Sequence, residues 1–247
     1  MRPQDLARLV ALAALWGGSY LFMRYAVPHV GVVLMIEMRV VIAGIALAAL
    51  IYATGGAIGW REHWRAFAFV GAVGMALPFV LIAQALTAID ASTAAILNAL
   101  SPLFASIVAA TALYGYTIVF TKVKLKGASA MGTSAGTLLM AALALLPFTP
   151  ADRDLSAVPA LAWLAVLGLA IASTTIAYIL YYRLIADVGP VKAITVTLLV
   201  PIFGMIWGAL FLGEPVTPGR IAGCAIILAG CSLILGLVPL PLRRPAS

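Results

Sequence analysis

The chain has 247 residues, 64% hydrophobic and only 9% charged, with a mean hydropathy of +1.15. Soluble domains carry about 25% charged residues and are about half apolar, so a soluble fold of this size is excluded and lipid must be the solvent. The net charge of +7 does not indicate nucleic acid, because the basic residues are scattered between long apolar runs and form no patch.

In chain order, Arg2 and Arg8 precede a first charge-free run at 9–23. This has the outline of a signal peptide. It holds Trp16, Tyr20 and Phe22, however, and shows no small-residue cleavage site, so it reads as a retained first span. It reaches crossing length if Arg8 and Arg24 snorkel to the interfaces. The second run, 40–60, is expected to begin near Val32 and so to take in Glu37 and Arg39. Further runs lie at 66–89, 91–121, 127–151, 155–182, 193–213 and 221–242. Cys224 and Cys231 stand seven positions apart in the last one. On a helix that is about two turns, or roughly 10 Å, too far for a disulfide, so they read as packing residues. Gly219 and Gly223 form a G-x-x-x-G, which suggests close helix approach.

A crossing helix needs about 20 apolar residues, and transmembrane strands would need alternating segments where these runs are continuous. The expected fold is therefore all-α: a polytopic membrane helix bundle of about eight transmembrane helices. With a cytoplasmic N-terminus, alternating spans put eleven Lys and Arg inside (Arg2, Arg8, Arg61, Arg65, Lys122, Lys124, Lys126, Arg183, Lys192, Arg243 and Arg244) and three outside (Arg24, Arg153 and Arg220). That bias predicts a cell-membrane protein with both termini in the cytoplasm.

The chain repeats itself. LWGGSYLFMR at 15–24 aligns with LYGYTIVFTK at 113–122, an offset of 98. ALSPLF at 99–104 aligns with LLVPIF at 198–203, pairing Pro102 with Pro201 at an offset of 99. The copies are unequal. After Pro201 come the rest of its helix, LGEPVTPGR and a further span. After Pro102 only ten residues remain before Leu113. The first copy, 1–111, therefore lacks the end of its fourth helix, a turn and a fifth helix. The second, 112–247, lacks the start of its first helix. LYGYTIVFTK then ends a fused helix at 91–121, with Lys122, Lys124 and Lys126 at its cytoplasmic end. Those 31 residues span about 46 Å at 1.5 Å each, so the helix must tilt, protrude or bend at Pro102.

The L-W-G-x-S-x-x-x-x-R start, Met38-Arg39, S-P-L-F at 101–104, V-P-I-F at 200–203, L-G-E-P-V-T at 212–217 and the Gly-rich last helix resemble the EamA family of the drug/metabolite transporter superfamily. The resemblance implies two inverted five-helix repeats around a central cavity. It also implies export or exchange of small metabolites such as amino acids without ATP. This chain departs from the plan by about 50 residues, the length of the missing fifth helix and its surroundings if the copies were once equal. A transport-inactive deletion remnant is therefore the alternative.

Transporter sites sit near the midplane at the repeat interface, where helices are interrupted. Proline has no N–H, so Pro102 frees the carbonyl of Asn98 and Pro201 that of Thr197. Asn98 and Thr197 are repeat-equivalent and make a candidate polar centre; the alternative is that each bonds a neighbouring helix. Glu37 and Arg39 are the charges inside a span rather than near an end, and such charges are functional candidates. Two positions apart, they point about 200° apart and need different partners. Glu37 suits a proton or a substrate amine unless it is solvated near the outer interface. Arg39 suits a carboxylate unless it anchors on backbone carbonyls. Gln84, Tyr116, Tyr178 and Trp16 complete the candidate lining, with packing as the competing role. Tyr20 is a further cavity or interface candidate. Ser173 and Thr174 are of the kind that bonds back to its own helix.

An intramembrane enzyme has no signal here. H-E-x-x-H is absent, His29 and His63 fall near opposite faces, and the aspartates lie at span ends or in loops. No catalytic residue, metal ligand or cofactor is expected, nor, without G-x-x-x-x-G-K-[ST], a nucleotide. The expected partners are a small-molecule solute and membrane lipid, not nucleic acid; a homodimer is left open.

Overall fold

The computed structural model describes residues 2–99, 124–125, 127–150 and 155–234. Among these, every regular element is helical. In lipid, a helix satisfies its own backbone groups, which is why these apolar runs fold this way. The first is α1, Pro3–Val30. Proline at its first position loses no intrahelical bond, and Asp5 Oδ2 accepts the Arg2 N–H at 3.0 Å. Gly31, at φ +84°, turns the chain directly into α2, Val32–Ala53. The start at Val32 matches the expectation.

Next come α3, Trp60–Ala85, and α4, Ala91–Asn98. α5 is Ala130–Leu145 and is followed by a 3₁₀ turn at Leu146–Phe148. α6 is Ala160–Val188. A one-turn helix, Pro190–Ala193, leads into α7, Val196–Leu212, and then α8, Pro218–Ile234. α3 begins before its charge-free run and includes Arg61 and Arg65, while α6 continues past its run to include Arg183 and Asp187. Charged ends extend a helix into water beyond the hydrocarbon. Five helices (α1, α2, α3, α5 with its 3₁₀ turn, and α6) are long and apolar enough to cross a membrane, and α7 and most of α8 are shorter and apolar. The chain is a polytopic helical membrane protein. The fused helix beyond Asn98, its bend at Pro102, and Tyr116 lie outside the described residues.

α3 and α6 each contain a widened π-helical stretch, Val70–Ala76 and Gly168–Ile176. The two begin 98 residues apart, the offset that separates LWGGSYLFMR from LYGYTIVFTK. In α6, Thr174 Oγ1 donates to the Leu169 carbonyl at 2.8 Å and Thr175 Oγ1 to that of Ala170 at 3.0 Å, each five residues back. Thr174 thus bonds to its own helix. Ser173 does not: it donates to the Leu15 carbonyl of α1 at 2.6 Å.

Glycines set the closest helix contacts. A Cβ on Gly17 would fall 2.7 Å from Phe203 Cβ, joining α1 to α7. One on Gly204 would fall 2.5 Å from Ala95 Cβ, joining α7 to α4. Gly44 of α2 meets Leu139 of α5 in the same way, at 2.8 Å. Among the described residues, a Cβ on Gly223 would meet nothing within 4 Å, and one on Gly219 only Thr217 Oγ1 at 3.9 Å. α8 packs on them through Cys224 and Ile227 against Ile96 of α4.

Further polar contacts lie at the two ends. At one end Arg8 pairs with Asp187, and His63 Nδ1 lies 3.1 Å from the Lys124 carbonyl. At the other, Arg24 donates to the Leu86 carbonyl, Thr149 to Glu37, and Arg220 pairs with Asp90. Asp90 Oδ1 also accepts the Thr93 N–H at 2.9 Å, capping α4. Glu214, in the turn between α7 and α8, accepts the backbone N–H of Ala91 at 2.7 Å.

Candidate functional site

A cavity of about 290 Å³ lies where α1, α2, α3, α4, α6 and α7 converge. α1 supplies Trp16, Ser19, Tyr20 and Met23, and α2 supplies Arg39. Phe79 and Ile82 come from α3, Ala95, Asn98 and Ala99 from α4, Ser173 and Tyr178 from α6, and Thr197 and Val200 from α7. Phe79 follows the π stretch of α3, while Ser173 lies in that of α6. A π bulge rotates the residues after it relative to a regular helix, and such bulges occur often at functional sites.

Arg39 is the charge in this lining, and it is buried at 6% exposure. Its guanidinium carbon sits 4.0 Å above the centre of the Phe79 ring, a cation–π contact. Its Nε donates to Thr174 Oγ1 at 3.0 Å, and Nη1 approaches Met23 Sδ at 3.9 Å. Among the described residues no carboxylate pairs with it. Tyr20 and Asn98 share a side-chain hydrogen bond. Ser19 is buried at 6% exposure, and its hydroxyl has no hydrogen-bond partner among the described residues.

The structure brings together six of the cavity candidates singled out in the sequence: Asn98, Thr197, Arg39, Tyr178, Trp16 and Tyr20. Pro201 is buried in α7 beside the lining residue Val200. Thr197 Oγ1 donates to the Ile194 carbonyl of its own chain segment at 2.8 Å. Glu37 is not part of the cavity: its carboxylate accepts from Thr149 at the end of α5. The cause is helical geometry, because the turn that aims Arg39 inward aims a residue two positions earlier elsewhere. Gln84 is exposed and also outside the lining. Pro102 and Tyr116 lie outside the described residues.

The sequence reading gave no role to Met23, Phe79 or Ile82, and its treatment of Ser19 went no further than the repeat. A signal for Phe79 was present. It follows Pro78 in α3, and prolines in membrane helices mark interruptions. Ser19 stands within LWGGS, after two glycines that let other helices reach the α1 backbone. Trp207 Nε1 of α7 donates to the Ala14 carbonyl there at 3.0 Å.

A second crevice, about 510 Å³, runs between α1, α6 and α7. Its walls are apolar (Leu21, Phe22, Leu164 and Phe211 among them) and it has no charged lining residue. Among the described residues it holds no charge to orient an ionic solute, and the chemistry rests with the first cavity.

Comparison with known proteins bears on what that chemistry serves. The EamA-like transporter family matches the chain twice, over residues 6–113 and 106–236. An uncharacterized transporter of Archaeoglobus fulgidus is 20% identical over 274 aligned positions, covering 92% of this chain and 97% of the relative. No solved structure matches significantly.

Proposed function

This chain belongs to the EamA-like transporter family, and on that premise we propose that it carries a small organic solute, such as an amino acid or related metabolite, across the cell membrane without ATP. One observation carries the reading: the cavity draws its lining from both matched segments, with Asn98 from the first and Thr197 from the second. Substrate sites of transporters built from repeats lie at that interface. Both termini are assigned to the cytoplasm on the Lys/Arg bias.

The test is solute flux in proteoliposomes of the purified 247-residue chain. Saturable counterflow of at least one small organic solute supports the reading. Its absence for a broad panel, in protein that is folded and correctly inserted, overturns it.

A second reading is that the chain is a transport-inactive remnant lacking a fifth helix. Two observations favour it. The two family matches overlap at 106–113, where the first copy should end and the second begin. The alignment with the Archaeoglobus relative, at 274 positions, exceeds this chain's 247 residues, so part of the relative has no counterpart here. Inserting a fifth helix between Thr111 and Ala112 should then raise flux. Equal flux with and without it removes the remnant reading.

A further inference from the structure

We propose that the ligand of the Arg39 cavity is a small organic carboxylate, its anionic group paired with the Arg39 guanidinium and hydrogen-bonded by the Ser19 hydroxyl. This rests on the reading that the cavity is the solute site, and it names the class of solute.

Charge comes first. A cation buried inside a membrane bundle is costly and is normally paired. Arg39 has no carboxylate partner among the described residues. Phe79 offers the face of a ring and Thr174 a single neutral oxygen. The sulfur of Met23, at 3.9 Å, is a weak acceptor. A guanidinium carries five N–H donors in a planar fork, and the contacts on Nε and Nη1 leave most of them without an acceptor among the described residues. The residue lines the cavity, where a ligand's acceptor can meet the donors that lack one among the described residues.

Ser19 is the independent observation. Its hydroxyl is buried, lacks a partner among the described residues, and belongs to a residue lining the same cavity. Buried hydroxyls are normally hydrogen-bonded, and an exception calls for an unseen partner. A carboxylate, with two acceptor oxygens, has the chemistry to serve both groups.

The rest of the lining narrows the choice. The acidic side chain closest in sequence to Arg39, Glu37, is held by Thr149 outside the cavity. With a cation in the wall and no acidic lining residue among the described residues, an amine-only solute is disfavoured. Trp16, Tyr20 and Tyr178 offer ring faces to an organic body. At about 290 Å³ the space is at the lower limit of ligand cavities, roughly 300–1,000 Å³, which favours a small acid.

The test uses the full chain in detergent and follows tryptophan fluorescence, to which Trp16 of the lining contributes, and thermal stability. Acetate, butyrate and benzoate are the carboxylate probes; benzamide and benzylamine are the neutral and cationic controls. Saturable binding of at least one carboxylate is expected, with benzamide and benzylamine at least ten-fold weaker than benzoate. Arg39→Gln should weaken carboxylate binding at least ten-fold, and Arg39→Lys less. Should Arg39→Gln fail to fold, Ser19→Ala decides. It removes a hydroxyl without a protein partner, so the fold should persist while carboxylate affinity falls several-fold. No saturable carboxylate binding, equal binding of benzoate and benzamide, or unchanged affinity in Ser19→Ala each overturns the proposal. The two readings fail separately. Flux of uncharged or cationic solutes alone would leave the transport reading standing and sink this one. Arg39-dependent binding without flux would do the reverse.

Discussion

The Glu214 carboxylate accepts the backbone N–H of Ser92 at 2.9 Å, tying the turn after α7 to the first turn of α4. The Ser92 hydroxyl donates to the same oxygen, and the other oxygen takes the N–H of Ala91 at 2.7 Å. The first N–H groups of any helix lack intrahelical partners, and an anion there also meets the positive end of the helix dipole. Gly208 makes the approach possible, since a Cβ on it would lie 2.5 Å from Glu214 Oε2. Glu214→Ala should therefore lower stability by about 2 kcal/mol, and Glu214→Gln, which keeps one acceptor, by about half of that. Unfolding in detergent micelles checks both. An unchanged midpoint in Glu214→Ala would mean that the clamp stabilises nothing.

Two adjacent glycines should behave differently. A Cβ on Gly17 would lie 2.7 Å from Phe203 Cβ and 2.9 Å from the Gly204 nitrogen, whereas one on Gly18 would meet nothing closer than 3.8 Å. Gly17→Ala forces α1 and α7 apart and should cost about 1–3 kcal/mol. Gly18→Ala should be neutral or slightly stabilising. The same unfolding measurement compares them, and the contact is misplaced if the order reverses.

Asp90 predicts an acid limit. Partial burial pushes its carboxyl pKa up, but the hydrogen bonds from Thr93 and the charges of Arg220 and Arg24 outweigh that and hold it below the ordinary 3.8. A carboxyl depressed in the folded state stabilises fully above its unfolded pKa, and that stability is lost as pH falls through the folded one. Between pH 5 and 3 the melting temperature of Asp90→Asn should change less than that of the parent chain. Parallel profiles would show that Asp90 contributes no pH-dependent stability.

If the chain transports, Asn98→Ala and Thr197→Ala should lower flux at least several-fold at equal expression. Glu37→Gln should leave solute affinity unchanged, because Glu37 is engaged by Thr149 outside the cavity. Proteoliposome counterflow across the three variants measures this. A loss of affinity in Glu37→Gln alone would place the site elsewhere.

Orientation is open to a direct check. A reporter fused after Arg244 should read as cytoplasmic, and a cysteine replacing Asp152 should react with an impermeant reagent added from outside. A periplasmic C-terminus would refute the topology drawn from the Lys/Arg bias.

Much of the helix layout was legible in the sequence because burial in lipid demands long apolar runs. The start of α2 at Val32 and the inward position of Arg39 followed from hydropathy and from the rarity of charge in spans. The split between Arg39 and Glu37 followed from helical periodicity. The partners of these residues were not legible. Thr174 lies 135 positions from Arg39, and Glu214 lies 122 from Ser92. Nothing in local sequence ties such pairs together. The π stretches were equally hidden, because one extra residue in a turn leaves an apolar run looking unchanged.

The paired π stretches also carry information about time. A π turn arises when one residue is inserted into a regular helix, and two unrelated insertions would have no reason to fall at one register. Val70 and Gly168 open their stretches 98 positions apart, in the third helix of each half. The insertion is most simply inherited from the single ancestral unit, before its gene was copied. It was already in place when two such units first had to close around a common space.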